Sequence, residues 1–191
     1  MLCLFCGDHM SFLKNLFNKS EPPRQLTSVK DLALGDIIVL TDSFALPESL
    51  RRQEFQVSAV NSYEYEHFSQ KEWTLSGTND VEIFLSLDID DKTYLKFSLK
   101  IERQDVEALF DLDDFSTIFD EPGQAYLQRQ EDSARTSGWS DEEYQQQVFA
   151  QVGYFHRKDF NKEALSPYEG KDAGEQLELY ALYNQDQSRG L

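Results

Sequence analysis

Four residues in the first half of the chain have side chains that could bind a small molecule or transfer a proton. They are Tyr63, Tyr65, His67 and Trp73. Aromatic rings line many ligand pockets, and a histidine with a pKa near neutrality can act as a general acid or base. The pattern therefore predicts a candidate ligand groove at these residues. The alternative is that the rings pack in a core and that His67, like His156 later in the chain, has a structural role.

The spacing of other reactive residues gives little support to metal or nucleotide chemistry. Cys3, Cys6 and His9 offer three zinc ligands, whereas a closed structural site needs four. The acidic clusters at residues 88–91 and 111–114 lack the glycine and the terminal glutamate of a calcium-binding loop. The sequence contains no glycine-rich phosphate loop and no G-x-S-x-G elbow. We therefore predict no metal site, no cofactor and no catalytic residues of a hydrolytic triad.

The overall composition restricts the class of partner. The chain has 35 acidic and 18 basic side chains, a formal net charge of −17, and 13% aromatic residues. Because phosphate binding needs a basic surface, nucleic acid is not an expected partner. The aromatic content supplies enough apolar surface for a folded core, so the chain is not expected to be disordered as a whole.

Much of the acidity is concentrated in one segment. Residues 102–151 contain thirteen acidic and three basic side chains, whereas residues 1–30 have a net charge of +2. An acidic surface of this kind is either a solvated face or a recognition surface for a basic partner. We expect a protein partner with a basic surface.

A short amphipathic segment lies in the N-terminal tail, which we assign to residues 1–25. Phe12, Leu13, Leu16 and Phe17 recur at helical spacing, and a proline-containing linker follows at residues 20–24. We treat these four residues as a candidate docking segment. It could dock on the body of the protein, enter a groove of a partner, make weak contact with a membrane surface, or remain a tail without a fixed contact.

The remainder, residues 26–191, is predicted to be a single strand-rich α+β domain. Alternating apolar residues predict strands at residues 36–41, 54–60, 63–68, 72–76, 82–88, 93–101 and 175–184. The pair at 82–88 and 93–101, joined by an acidic turn, is the clearest hairpin. Because the strands follow one another without long helices between them, the pattern indicates an antiparallel, curved sheet with a few short helices.

Two of these helices can be placed. Residues 102–110 put Val106, Leu109 and Phe110 on one side of a short helix. A second helix is predicted from Ser140, because residues 140–143 match a capping box and apolar residues follow four apart from Tyr144.

The cysteines and the hydropathy indicate a cellular compartment. No cysteine follows Cys6, which excludes a disulfide framework in the domain. No stretch approaches the roughly 18 to 20 apolar residues of a membrane span. The N-terminus lacks the basic region of a secretory signal. We expect a cytoplasmic protein.

Three features of the sequence resemble one protein family. They are the start at residues 10–17 before the proline linker, the Leu34-Gly35-Asp36-Ile37-Ile38 opening of the first strand, and residues 72–75 together with residues 178–184. The pattern resembles the YjfK-like group of uncharacterised bacterial proteins over residues 10–184. Genes of that group tend to lie beside phage-shock-type membrane-remodelling proteins. The resemblance implies an accessory role near a membrane-associated assembly and transfers no residue roles.

We therefore expect a non-enzymatic, acidic accessory or interaction protein, associated with a membrane-stress or membrane-remodelling assembly. The alternative is a small-ligand-binding protein or an enzyme that uses the aromatic residues Tyr63, Tyr65 and Trp73 together with His67.

Overall fold

The computed structural model of the protein describes residues 26–89, 92–159 and 174–191. The chain separates into two compact units, Met1–Leu32 and Ala33–Leu191. In the described part of the first unit, a 3-10 turn spans Val29–Asp31, and the Ser28 side chain caps it by accepting a hydrogen bond from the Lys30 N–H. The candidate docking segment (Phe12, Leu13, Leu16 and Phe17) lies outside the described residues, as do Cys3, Cys6 and His9.

The second unit is built mainly from strands. Within the described residues these are β1 Ile37–Val39, β2 Glu54–Tyr65, β3 Ser69–Ser76, β4 Glu82–Ile89, β5 Thr93–Ser98, β6 Tyr126–Gln128, β7 Glu143–His156 and β8 Glu175–Tyr183. Two short helices, α1 Arg103–Leu109 and α2 Leu112–Ser116, lie between β5 and β6. All strand pairs are antiparallel. The predicted strand-rich, antiparallel class is confirmed, and helix is a minor part of it.

The strands form one open sheet in the order β5-β4-β3-β2-β7-β6, with β1 paired to β2 and β8 paired to β7. Strands β2 and β7 pair only near their C-terminal ends, residues 62–65 against residues 153–156. Their N-terminal parts pair instead with β1 and β6. The sheet therefore opens into two wings that meet at the β2–β7 pairing.

An irregularity in β2 determines which side chains share a face. The register shifts between Val57, which pairs with Leu75, and Ala59, which pairs with Thr74. Because successive residues of a strand point to opposite faces, one extra residue reverses the alternation. Val57 therefore points to one face of the sheet, and Tyr63 and Tyr65 point to the other.

Most of the buried apolar side chains of the described residues lie in two groups. The first follows the face of Val57 and contains Phe55, Val57, Trp73, Leu75, Ile83 and Leu85. The second packs α1 and the following turns against β6, β7 and β8, and contains Leu109, Phe110, Ile118, Ala125, Leu127, Tyr144 and Leu182. Burial of each large side chain contributes about 1.5–3 kcal/mol.

The clearest sequence patterns gave the correct elements. The predicted hairpin is formed by β4 and β5, the predicted helix at residues 102–110 is α1, and the last predicted strand is β8. The predicted strand at residues 63–68 is wrong, because β2 runs on to Tyr65 and the chain then turns into β3.

The helix predicted from Ser140 is also wrong, because residues 143–156 form strand β7. Tyr144 and Gln146 are buried, whereas Gln145 and Gln147 are exposed, which is the alternation of a strand. Residues four apart share a face in a regular strand as well as in a helix, so the spacing did not distinguish the two. Pairing with β6 and β8 provides the backbone hydrogen bonds of this segment.

Candidate functional site

Two distant strands, β5 and β8, approach each other over one face of the sheet. In the order β5-β4-β3-β2-β7-β8 they are five spacings apart. In a flat sheet that separation would be about 24 Å. Yet the Lys96 Nζ of β5 lies 5.7 Å from the ring centroid of Tyr183 of β8. The sheet therefore bends around the face that carries Tyr63 and Tyr65, which we call the concave face.

The concave face borders a cavity of about 710 Å³. Strand residues in its wall include Tyr65, Gln70, Ser86, Lys96, Ala181 and Tyr183. The loop after β1, Trp139 and residues 187–191 also line the cavity. Small-molecule pockets of proteins usually have volumes of about 300–1,000 Å³, so this cavity has the size of a ligand site.

The structure does not bring the four residues of the predicted groove together. Tyr65 lines the cavity, and Tyr63 lies on the same face. Trp73 pairs with Val60 and points to the opposite face, where it is buried in the core. His67 lies in the turn between β2 and β3, and its side chain is 82% exposed. The proposed grouping of Trp73 and His67 with the tyrosines is therefore corrected.

A partly buried carboxylate lies beside the two tyrosines on the concave face. The Tyr63 hydroxyl donates to Glu72 Oε1 at 3.4 Å. Burial raises the pKa of Glu72, although hydrogen bonds from Asn61 and Tyr63 act in the opposite direction. Burial and then the charge of Glu72 raise the pKa of both Tyr63 and Tyr65. Both phenols therefore stay protonated at neutral pH, so neither acts as a base, and the Tyr63 hydroxyl is a hydrogen-bond donor.

The wall of the cavity also carries two cations, Lys96 and Arg189. The Lys96 Nζ forms an ion pair with Asp88 Oδ2 at 3.0 Å. Neither cation was predicted as a site residue, because the two lie far apart in the chain. The register of β5 and the position of the chain after β8 could not be obtained from local patterns.

A buried polar cluster on the opposite face was also missed. His156 Nε2 lies 3.1 Å from Glu64 Oε2, and Lys71 Nζ lies 2.7 Å from Asp159 Oδ1. None of these four side chains is more than 16% exposed. The buried Ser62 hydroxyl donates to the Lys158 carbonyl at 2.9 Å. The cluster joins β2, β3 and the end of β7, and its geometry indicates a structural role.

Other potential sites in the described ranges are weaker. No group of three or more His, Cys, Asp or Glu side chains there is placed to hold a metal ion. Asp141, Glu142, Glu143 and Asp186 border a small acidic pocket of about 300 Å³. Across residues 26–89, 92–159 and 174–191, no helix combines the length and the apolar character needed to cross a membrane.

Comparison of the chain with protein-family models, with curated proteins and with solved structures gave no match.

Proposed function

We propose that the protein is a non-enzymatic binding protein whose cavity on the concave face holds a small organic ligand. The observation that carries the proposal is the cavity of about 710 Å³. Its wall combines tyrosine rings, aliphatic side chains and uncharged polar groups. Such a wall can contact the apolar part of a small molecule and orient it through a few polar groups. A curved sheet, as expected from the sequence, would be consistent with a concave binding face.

The character of the wall favours binding over catalysis. Among the described wall residues there is no histidine, cysteine, aspartate or glutamate. The pKa of Tyr65 is raised, so this phenol is protonated at neutral pH. Lys96 is held by Asp88. These residues can orient a ligand, but they offer neither a general base nor an activated nucleophile.

The proposal can be tested with a neutral aromatic probe, phenylnaphthylamine, whose fluorescence rises in an apolar site. We expect saturable binding of one probe per chain. The substitution Ser86→Phe places a ring in the cavity wall and should abolish this binding. Ser137→Phe, at an exposed position outside the wall, is the matched control and should leave it unchanged. Probe binding that Ser86→Phe does not affect would contradict the proposal, provided that circular dichroism shows a folded variant.

A second function is favoured by a separate observation. Residues 102–151 display exposed carboxylates, including Asp113, Asp114 and Asp120, together with the ring of Phe119, which is 57% exposed. We infer an accessory role in which this acidic surface docks on a basic protein partner. The YjfK-like resemblance implies an accessory role near a membrane-associated assembly, and the cysteine pattern is the basis for expecting that role in the cytoplasm.

This second function can be tested in the native host by cross-linking the full chain and identifying stoichiometric partners. We expect one basic partner, whose cross-links map to residues 102–151. Reversing two charges with Asp113→Lys and Asp114→Lys should weaken the association and reduce its dependence on salt. Reversal of Glu48 and Glu54, two exposed acids outside the segment, is the control. Equal effects of the two double variants would contradict a specific acidic docking surface.

A further inference from the structure

We infer that the ligand of the cavity is a small amphipathic anion, whose acidic head is bound by Arg189 and whose apolar body lies against Tyr65 and Tyr183. The inference rests on the proposed binding function and adds the chemical class of the ligand.

The charge of the cavity wall is opposite to that of the whole chain. Acidic side chains outnumber basic ones by 35 to 18. Yet the only charged side chains in the described wall are those of Lys96 and Arg189. Among the described residues, a wall whose charged side chains are both basic attracts an anion more than it attracts a cation.

Arg189 is the cation that remains available to a ligand. Its backbone is fixed by Asn184, whose side-chain Oδ1 accepts from the Arg189 N–H at 2.9 Å and whose N–H donates to the Arg189 carbonyl at 3.0 Å. Asn184 is itself buried. In the described part of the chain, the half-buried Arg189 side chain makes no ion pair. Its planar group of donors matches the two oxygens of a carboxylate.

Lys96 has a different role. Its ammonium group is shared between Asp88, at 3.0 Å, and the face of the Tyr183 ring, at 5.7 Å. These two contacts neutralise much of its charge and connect β5 to β8. Lys96 therefore shapes the edge of the cavity, whereas Arg189 provides the anion-binding group.

The rest of the wall requires an apolar body as well as an anionic head. Leu179, Ala181 and Tyr183 follow one another at every second position of β8 and line the cavity with Tyr65. A small inorganic anion would contact little of this surface and would leave most of the 710 Å³ unfilled. An amphipathic organic acid uses both parts of the wall.

The test compares two probes with the same aromatic framework, anilinonaphthalene sulfonate, which is anionic, and phenylnaphthylamine, which is neutral. At low salt the anionic probe should bind the full chain about tenfold or more tightly than the neutral one, as expected for one charge-assisted contact. The difference should shrink as salt is added. Ser86→Phe should remove binding of both probes.

Arg189→Gln should reduce the affinity for the anionic probe to that for the neutral probe and should leave the neutral probe unaffected. Arg189→Lys keeps the positive charge but loses the two parallel N–H donors of the guanidinium, so its affinity for the anionic probe should be intermediate. This variant still tests the assignment of Arg189 if Arg189→Gln does not fold. Arg103→Gln, on the exposed surface of α1, is the control for loss of a positive charge.

The outcomes separate the two proposals. Equal affinities for the two probes in the wild type would overturn the anion inference and leave the binding function intact. An anion preference that survives Arg189→Gln would overturn the assignment of Arg189. Absence of binding by both probes would overturn the binding function itself.

Discussion

The ion pair between Lys71 and Asp159 shows how single side chains hold the junction of β3 with the end of β7. The Lys71 Nζ is fully buried, lies 2.7 Å from Asp159 and is 5.4 Å from the ring centroid of Trp73. Asp159→Ala should leave the ammonium group buried without this carboxylate. We expect a loss of about 3–5 kcal/mol in the free energy of unfolding, measured by urea denaturation.

An exposed pair gives the control for this loss. Arg103 and Glu107 are four residues apart on α1, with side chains 82% and 45% exposed. Such a pair contributes only about 0.3–0.5 kcal/mol, so Glu107→Ala should have little effect. If Asp159→Ala and Glu107→Ala lowered the free energy of unfolding by similar amounts, the Lys71–Asp159 pair would behave as a solvent-exposed pair, and the prediction would be wrong.

Glu72 gives a prediction about pH. Burial raises its pKa in the folded state above the ordinary value of 4.5, so ionisation of this carboxyl destabilises the fold. Glu72 therefore stabilises the fold when it is protonated. This stabilisation is complete at a pH below the pKa of Glu72 in the unfolded chain, and it is lost as the pH rises through the pKa of Glu72 in the folded protein. Glu72→Gln cannot ionise. The stability of this variant relative to the wild type should therefore increase between about pH 4 and about pH 7.

The measurement is chemical denaturation of both proteins across that pH range. Glu82→Gln, at an exposed position of β4, is the control and should show no such trend. A relative stability of Glu72→Gln that stays constant or falls as pH rises would contradict the raised pKa.

At the scale of elements, the side-chain contacts of Gln146 belong to the buried face of β7. Its side-chain amide donates to the Ile118 carbonyl at 2.9 Å and accepts from the Ala125 N–H at 3.1 Å. Gln146→Leu should leave two buried backbone groups without partners and cost about 1–3 kcal/mol. The same substitution at the exposed neighbour Gln147 should change the stability little. Equal costs, measured by urea denaturation, would contradict the described faces of β7.

A second prediction at this scale concerns the contact of β2 with β7. Gly153 lies opposite Tyr65, and a Cβ atom there would be 2.6 Å from the tyrosine ring. Gly153→Ala should therefore displace the Tyr65 ring from its position in the cavity wall. We expect weaker binding of phenylnaphthylamine to a folded variant. Unchanged affinity would indicate that Tyr65 does not shape the site.

These elements also show how far the sequence predicts the structure. The β4–β5 hairpin has an uninterrupted alternation, so its pattern was sufficient. The extra residue at the Val57–Ala59 shift has no local signal in the composition. It nevertheless separates Trp73 from Tyr63 and Tyr65, which the sequence pattern had grouped together. The capping-box pattern after Ser140 was outweighed by strand pairing with β6 and β8.

At the scale of the whole molecule, the bend of the sheet has the largest consequence. It brings Lys96 of β5 to Tyr183 of β8 and creates the cavity that no single segment contains. The chain has a net charge of −17, but the charged side chains in the described wall of the cavity are basic. Arg189, which follows β8, contributes a basic side chain to the wall. The sequence predicted an acidic, strand-rich domain. It could not predict that Lys96 of β5 and Arg189 after β8 line one cavity, because this depends on how β5 and β8 approach each other.

The most direct test of the account is the location of anilinonaphthalene sulfonate on the full chain by intermolecular nuclear Overhauser effects. We predict contacts from the aromatic protons of the probe to the ring protons of both Tyr65 and Tyr183, and contacts from the ring proton next to the sulfonate to side-chain protons of Arg189. Contacts confined to residues outside the cavity, or a bound probe with no contact to either tyrosine, would contradict this prediction.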